Sequence, residues 1–233
     1  MLTGDGVIAG STRLVGLIGM PVADSLSPRM QNAAFAARGL DWAYVPVPVQ
    51  AEELEAALRG LPALGFAGAN VTAPYKLDVA KLVGSELRSV NTLVVEQGQI
   101  RAFSTDAAVL EGLEAEGPVI VGDGGVAQAF LEALPAARSF SRRGEWPPDT
   151  SGADLIVNAT SARDEVVVEV GPGQTLVDLP YPRSATAAAA RAAGARVLDG
   201  FEVLVAQGAA AFELWTGIPA PVEVMRRALG LRP

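Results

Sequence analysis

The chain of 233 residues contains no cysteine and no histidine. The first absence excludes disulfides and thiolate metal centres, and the two together leave zinc without its usual sulfur and nitrogen ligands. Losing histidine also removes the side chain that titrates near neutrality. Any proton transfer therefore falls to lysine, carboxylates or tyrosine. Basic residues are scarce, 18 Lys and Arg against 26 Asp and Glu for a formal net charge of -8, which argues against the concentrated basic face that nucleic acid requires. A small anionic ligand stays open, because local charge can oppose the global sign. No apolar run approaches the ~20 residues of a membrane span; the alanine-rich stretch around Ala187 is interrupted by Arg191 and Arg196. Near the N-terminus, Asp5 and Arg13 stand where a leader would carry a basic segment, an apolar run and a cleavage signal. The expectation is a cytoplasmic protein with no metal, no nucleic-acid partner and no membrane partner.

What is present is a 50% hydrophobic composition rich in alanine, suited to close helix packing in a globular domain. Strand and helix signals alternate. A strand over Leu14–Ile18 leads through Gly19 and Pro21 into a helix with Ser27 as N-cap, Pro28 as first residue and Gly39 as its stop. A strand over Ala43–Val47 and a helix over Ala51–Leu58 repeat the pattern, which implies an α/β layer fold with parallel pairing. Strands over Val90–Glu96 and Ile100–Phe103 flank Gln97-Gly98-Gln99 as a hairpin. A new unit begins near Asp106 with a helix to Glu116. The strand Pro118–Val121 then runs into Gly122-Asp123-Gly124-Gly125-Val126 and a helix to Leu134, the opening of a dinucleotide-binding βαβ unit. Further strands are expected over Leu155–Val157, Thr175–Asp178 and Arg196–Leu198, and closing helices over Glu202–Trp215 and Pro221–Leu229.

Two polar signatures stand out, Asn70-Val71-Thr72-Ala73-Pro74-Tyr75-Lys76 and Ser104-Thr105-Asp106. In a chain without histidine, Lys76 and Asp106 are its best proton-handling pair. Ser25 and Ser27 offer hydroxyls that both donate and accept at a helix start, where free N–H groups and the dipole favour an anion. At the end of the second strand of the βαβ unit an acidic residue would select NAD and arginine NADP; the sequence there is Ser139-Phe140-Ser141-Arg142-Arg143, with two arginines and no acid.

Taken in order, Ser25-Leu26-Ser27-Pro28, the Asn70–Lys76 segment, Val90-Asn91-Thr92, Ser104-Thr105-Asp106 and Leu204-Val205-Ala206-Gln207 resemble the motifs of the shikimate dehydrogenase family over nearly the whole chain. The resemblance implies a substrate-binding α/β lobe over 1–105, a compact Rossmann-like NADP-binding lobe over 106–201, and C-terminal helices over 202–233 returning to the first lobe. It implies reversible NADP-dependent reduction of 3-dehydroshikimate to shikimate in aromatic biosynthesis by a monomer or homodimer. Lys76 and Asp106 would be catalytic. Ser25 and Ser27 would hold the substrate carboxylate, Thr72, Asn91 and Gln207 its hydroxyls, and Tyr181 a further contact. Gly122, Gly124, Gly125, Val126, Ser141, Arg142, Arg143 and Thr160 would bind the cofactor. Two alternatives remain: a paralogue that binds a shikimate-like ligand but has lost efficient dinucleotide binding, and an enzyme for quinate or a related polyol.

The departures from the family pattern fall mainly on the cofactor side. Asp123 places a carboxylate in the glycine turn, and Ser141 stands where the family has Asn before Arg. Ala162-Arg163-Asp164 replaces Gly-Met after Asn158-Ala159-Thr160-Ser161, and Val203 stands in place of Met before Leu204. Pro147, Pro148 and Gly152 leave little room for a crossover helix between Arg143 and Asp154. The stretch from Lys76 to Asn91 is also short, with Arg88-Ser89 before Val-Asn-Thr.

Overall fold

The structure, a computed structural model, describes residues 8–231. The chain forms two compact units, one made of the residues up to Thr105 together with those from Val205 onward, the other of Asp106–Leu204.

The first unit is built on a five-stranded sheet of β1 (Arg13–Gly19), β2 (Trp42–Pro48), β3 (Phe66–Val71), β4 (Thr92–Glu96) and β5 (Gln99–Phe103), in the order β2-β1-β3-β4-β5. The first three strands are parallel, whereas β4 pairs antiparallel with β3 and with β5. The expectation of parallel pairing thus holds for one half of the sheet only. A two-residue loop of Gln97 and Gly98, both at positive φ, joins β4 to β5, the turn geometry whose twist matches a hairpin. Strand β3 and helix α3 (Lys76–Leu82) have no clear local signature, because Gly68 and Pro74 interrupt their pattern. In α2 (Leu54–Ala63), Leu54, Leu58 and Leu61 recur at i, i+4 and i+7 and are all buried. They pack on Ile18, Ala69, Val71, Tyr75 and Val79 in one core. Gly68 is required by packing: a Cβ there would strike the Leu93 carbonyl and the Trp215 indole, whose Nε1 donates to that same carbonyl at 2.9 Å.

The second unit is a five-stranded, wholly parallel sheet of β6 (Val119–Val121), β7 (Arg138–Phe140), β8 (Leu155–Asn158), β9 (Thr175–Asp178) and β10 (Arg196–Leu198), ordered β10-β9-β8-β6-β7. Its central strands are buried on both faces, and the side chains divide with the period of two that a strand imposes. Val119, Val121, Ile156 and Leu176 face one cluster; Ile120, Leu155, Val157 and Val177 face the other. Helix α4 (Gly125–Ala133), with Ala127 and Phe130, covers the second. The first is covered by Ala190 of α5 (Ala185–Ala192) and by an extended segment carrying Val167, Val168 and Val170. No helix links β7 to β8 or β8 to β9; the buried valines take the place of one. This strap is pinned by Thr186, whose hydroxyl accepts from Val167 N at 2.9 Å and donates to the Glu165 carbonyl at 3.3 Å.

Three readings need correction. The helix expected from Asp106 to Glu116 is a short 3-10 turn over Asp106–Leu110, since Gly112 adopts φ 75° and ends it. Ser27 is not the N-cap of α1 (Ser27–Ala37) but its first residue; the Ser25 hydroxyl instead accepts from Ser27 N at 3.3 Å. The boundary placed at 201/202 falls inside α6 (Gly200–Thr216), and the second unit extends to Leu204, with Val203 in its core. None of the described helices is long and apolar enough to cross a membrane, and the described residues hold no cluster that could bind a metal.

The strap generates a test. Val168→Ala removes two buried methyl groups and should destabilise the protein by about 1.5–2.5 kcal/mol in chemical denaturation. Val166→Ala, at a neighbouring residue that is half exposed, should change stability by no more than about 0.5 kcal/mol.

Candidate functional site

The carboxyl ends of parallel strands in an open α/β sheet form the crevice where ligands bind. In the first unit, β1 ends there at Gly19, β3 at Val71, and the antiparallel β4 begins beside them at Thr92, with Asn70 opposite Thr92 in register. The same edge receives the end of β5 at Phe103, paired with Thr92, so Thr105 arrives beside Asn91. Topology therefore gathers at one edge residues that lie far apart in the sequence. Gly19 keeps the approach open, for a Cβ there would overlap Thr72 and Val22, while Thr72 N donates to the Ile18 carbonyl at 2.9 Å.

A buried hydrogen-bond network fixes this edge. The Tyr44 hydroxyl donates to Asn70 Oδ1 at 2.9 Å, and Asn70 Nδ2 donates to the Asn91 carbonyl and to Thr92 Oγ1, both at 3.0 Å. Asn91 Nδ2 donates to Thr105 Oγ1 at 3.0 Å, and Asn91 Oδ1 accepts from Thr105 N at 2.7 Å. Burial pushes the Tyr44 phenol far above its ordinary range, an effect partly offset by its hydrogen bond with Ser27. The phenol therefore stays neutral, donating to Asn70 and accepting from Ser27. Tyr44 is absent from the residues singled out in the sequence, although its signal is legible there. A tyrosine at an inward position of the strand Trp42-Ala43-Tyr44-Val45 has to find a partner for its hydroxyl inside the protein.

Ser25, Ser27, Thr72, Lys76 and Asn91 all belong to this unit. Lys76 is the first residue of α3, and its carbonyl accepts from Val90 N at 3.1 Å. Gln207 lies on α6, where the fully buried Gln31 of α1 donates to the next carbonyl, that of Gly208, at 2.8 Å. A Cβ on Gly208 would overlap Met30, so close contact of α1 with α6 determines where Gln207 stands. Asp106 is buried and directly follows Thr105; it opens the second unit, to which Tyr181 also belongs. Burial raises the Tyr181 phenol above its usual value, partly offset by Arg163, and its ring packs on Phe201 at 5.8 Å between centroids.

The glycine turn of the second unit has the form a phosphate needs. Gly122 sits at φ 133°, and any Cβ on it would come within 3.0 Å of the Ala159 backbone. Gly124 is the N-cap of α4, without a side-chain cap, and a Cβ there would meet nothing within 4 Å. Open space at the start of a nine-residue helix fits the phosphates of a dinucleotide. Thr160 stands beside this turn, its N–H and hydroxyl both donating to Asn158 Oδ1 at 3.2 and 2.8 Å. Asn158 in turn donates to Asp178 at 2.8 Å, and burial raises the carboxyl of Asp178 above its usual range despite that bond. Ser141, at the end of β7, is held in a tight turn by Ser141 N to Glu145 O and Gly144 N to Ser141 O. Both arginines that follow carry acidic partners: Arg142 Nη2 donates to Glu165 Oε2 at 2.6 Å, and Arg143 Nε lies 3.6 Å from Asp123 Oδ2. The Asp123 carboxylate is thus directed toward an arginine.

The match to known proteins spans nearly the whole chain in the full-length relatives and its two ends in the family models. Residues 17–93 match the shikimate dehydrogenase substrate binding domain, and residues 200–229 the shikimate 5'-dehydrogenase C-terminal domain. A shikimate dehydrogenase (NADP(+)) of Anaeromyxobacter sp. (strain K) is 40% identical over 274 residues, covering 97% of this chain and 99% of that protein. Its namesake from Moorella thermoacetica is 39% identical, covering 95% and 94%. Because the alignment spans 274 positions and this chain has 233 residues, segments of the relative have no counterpart here. Among solved structures, a shikimate dehydrogenase in complex with NADP+ superposes with a TM-score of 0.82 at 28% identity, covering 96% of both chains. The Thermus thermophilus enzyme in complex with NADP(H) and shikimate gives 0.80 at 27% identity, covering 93% of this chain and 98% of that one.

The network predicts the outcome of one substitution. Tyr44→Phe keeps the ring but leaves buried Asn70 Oδ1 without that donor, and should lower unfolding stability by about 1–3 kcal/mol. Asn70→Ala in the Tyr44→Phe background should cost less than it does alone, which a double-mutant denaturation cycle measures.

Proposed function

The chain belongs to the shikimate dehydrogenase family, and from that premise we propose that it catalyses the reversible, NADP-dependent reduction of 3-dehydroshikimate to shikimate. What supports this reading, beside the family, is the topology of the first unit, in which Ser25 and Ser27 follow the end of β1, Thr72 and Lys76 follow the end of β3, and Asn91 immediately precedes β4. One polar edge offers hydroxyls for a carboxylate, amide and hydroxyl groups for a polyol, and a cation for a carbonyl oxygen.

In this reading the Ser25 and Ser27 hydroxyls donate to the substrate carboxylate at the start of α1, where the helix dipole adds attraction for the charge. Thr72, Asn91 and Gln207 take the ring hydroxyls, with Tyr181 a further contact. A bound NADPH would supply the hydride for the carbonyl carbon, and the negative charge left on the carbonyl oxygen is what the protein's own groups have to meet. Lys76 stabilises that charge and delivers the proton that completes the alcohol; in the oxidative direction it takes the proton back. Asp106 is assigned to bind a substrate hydroxyl and to work with Lys76 as one unit. Around the cofactor, the turn of Gly122, Gly124, Gly125 and Val126 receives the pyrophosphate on the N-terminus of α4, with Thr160 beside it. Ser141, Arg142 and Arg143 hold the adenosine end, the two guanidinium groups pairing with a 2'-phosphate that NAD lacks.

The direct test is a spectrophotometric assay of the purified protein with shikimate and either NADP or NAD. Turnover with NADP, and more slowly with NAD, is expected; shikimate binding without turnover on either would overturn the enzymatic reading. Lys76→Ala and Asp106→Asn should each lower kcat by about 10²- to 10⁴-fold, and the double variant should lose far less than the product of the two. Undiminished kcat in Lys76→Ala would remove it from the mechanism. Replacing both Arg142 and Arg143 with alanine should weaken NADP binding in calorimetry much more than NAD binding.

A further inference from the structure

The two arginines assigned to the 2'-phosphate already carry anions. Arg142 donates to the Glu165 carboxylate at 2.6 Å, and its guanidinium lies over the Trp146 ring at 5.4 Å from the centroid. Arg143 lies 3.6 Å from the Asp123 carboxylate. Glu165 is not a chance surface neighbour. It opens the valine strap that covers one face of the sheet, and its backbone carbonyl accepts from the Thr186 hydroxyl at 3.3 Å. Its own neighbourhood is tied down by Ala185 N to the Arg163 carbonyl at 2.7 Å and Val167 N to Thr186 Oγ1 at 2.9 Å. The segment that replaces a crossover helix thus presents a carboxylate to the arginine that turns out of β7.

We propose that Glu165 is a specificity-determining residue: its carboxylate occupies the Arg142 guanidinium in the free protein and competes with the 2'-phosphate of NADP for it. Asp123 stands in the same relation to Arg143 at the longer distance. The inference rests on the assignment of Arg142 and Arg143 to the 2'-phosphate. A phosphate outcompetes a carboxylate through its greater charge and additional acceptor oxygens, so NADP still binds, but part of its interaction is offset by the pair it must break. NAD brings no 2'-phosphate and leaves the pair intact. The preference of this chain for NADP over NAD is therefore lower than two unencumbered arginines would give. Both side chains are half exposed or more, and exposed pairs of this kind are weak, which sets the scale of the effect at a few-fold.

Calorimetric titration of NADP and NAD, without substrate, into the unmodified chain, Glu165→Gln, Arg142→Ala and the double variant decides the matter. Glu165→Gln retains the shape and removes the charge; it should bind NADP about three- to fivefold more tightly and NAD unchanged. In the Arg142→Ala background the same substitution should change neither ligand. Thermal denaturation of Glu165→Gln checks that the strap is preserved. Unchanged or weaker NADP binding in Glu165→Gln would overturn the inference, as would an equal gain for both dinucleotides, which would mark a general field rather than competition at one guanidinium. If Arg142→Ala weakens NADP and NAD alike, the assignment of the 2'-phosphate to Arg142 falls, and the inference with it.

Discussion

The first unit depends on a set of buried hydrogen bonds that runs from Tyr44 through Asn70 to Asn91, Thr92 and Thr105. Groups of this kind are costly to bury alone and stabilising only when all are matched. Here Asn70, Asn91, Thr92 and Thr105 also lie where β3, β4 and β5 have to meet in register, while Tyr44 reaches Asn70 from β2. Displacing β4 by one residue so that Leu93 sits where Thr92 now does would reverse the faces of the strand and leave Asn70 facing an apolar side chain. The polar chain thus selects the register, and the register in turn delivers the hydroxyl- and amide-bearing residues to one edge. The hydrogen bonds that select the register are therefore also what keeps this edge polar and fully matched.

The second unit solves a different problem. Its sheet is buried on both faces although its strands are only three or four residues long, and one face is covered by α5 and an extended segment rather than by a full layer of helices. Alternating valine and isoleucine residues supply the apolar surface, and the strap of Val167, Val168 and Val170 closes it. The shortening relative to homologous enzymes is tolerated because burial, rather than helix formation as such, is what the exposed face of a sheet requires.

Much of this is legible in the sequence. The alternation of strands and helices, the glycine turn at Gly122–Gly125 and the Gln97-Gly98 hairpin follow from local rules of periodicity and turn chemistry. What is not legible depends on contacts distant in the chain. Nothing near β3 announces that Gly68 lies under Trp215, or that β4 reverses direction. Spacing points to Ser27 as the cap of α1 because it cannot tell which of two nearby serines accepts a backbone N–H. By sequence alone Asp123 opposes a phosphate, because its partner, Arg143, lies 20 positions away. The Asn70-to-Lys76 and Ser104-to-Asp106 motifs stand out because polar residues in such density are seldom needed for a core. Tyr44, which anchors the first of them through Asn70, is single and embedded in apolar sequence.

The strap also bears on the order in which the second unit assembles. A crossover helix satisfies its backbone internally and can begin to form before it docks. The extended chain from Glu165 to Val170 has no such autonomy: its Val167 N–H and Glu165 C=O are matched by Thr186 at the start of α5, and its valines have nothing to cover until β6, β8 and β9 are paired. Its burial therefore depends on the sheet being formed, whereas a helix carries part of its order within itself. The carboxylate it holds against Arg142 is fastened to the least autonomous stretch of the unit.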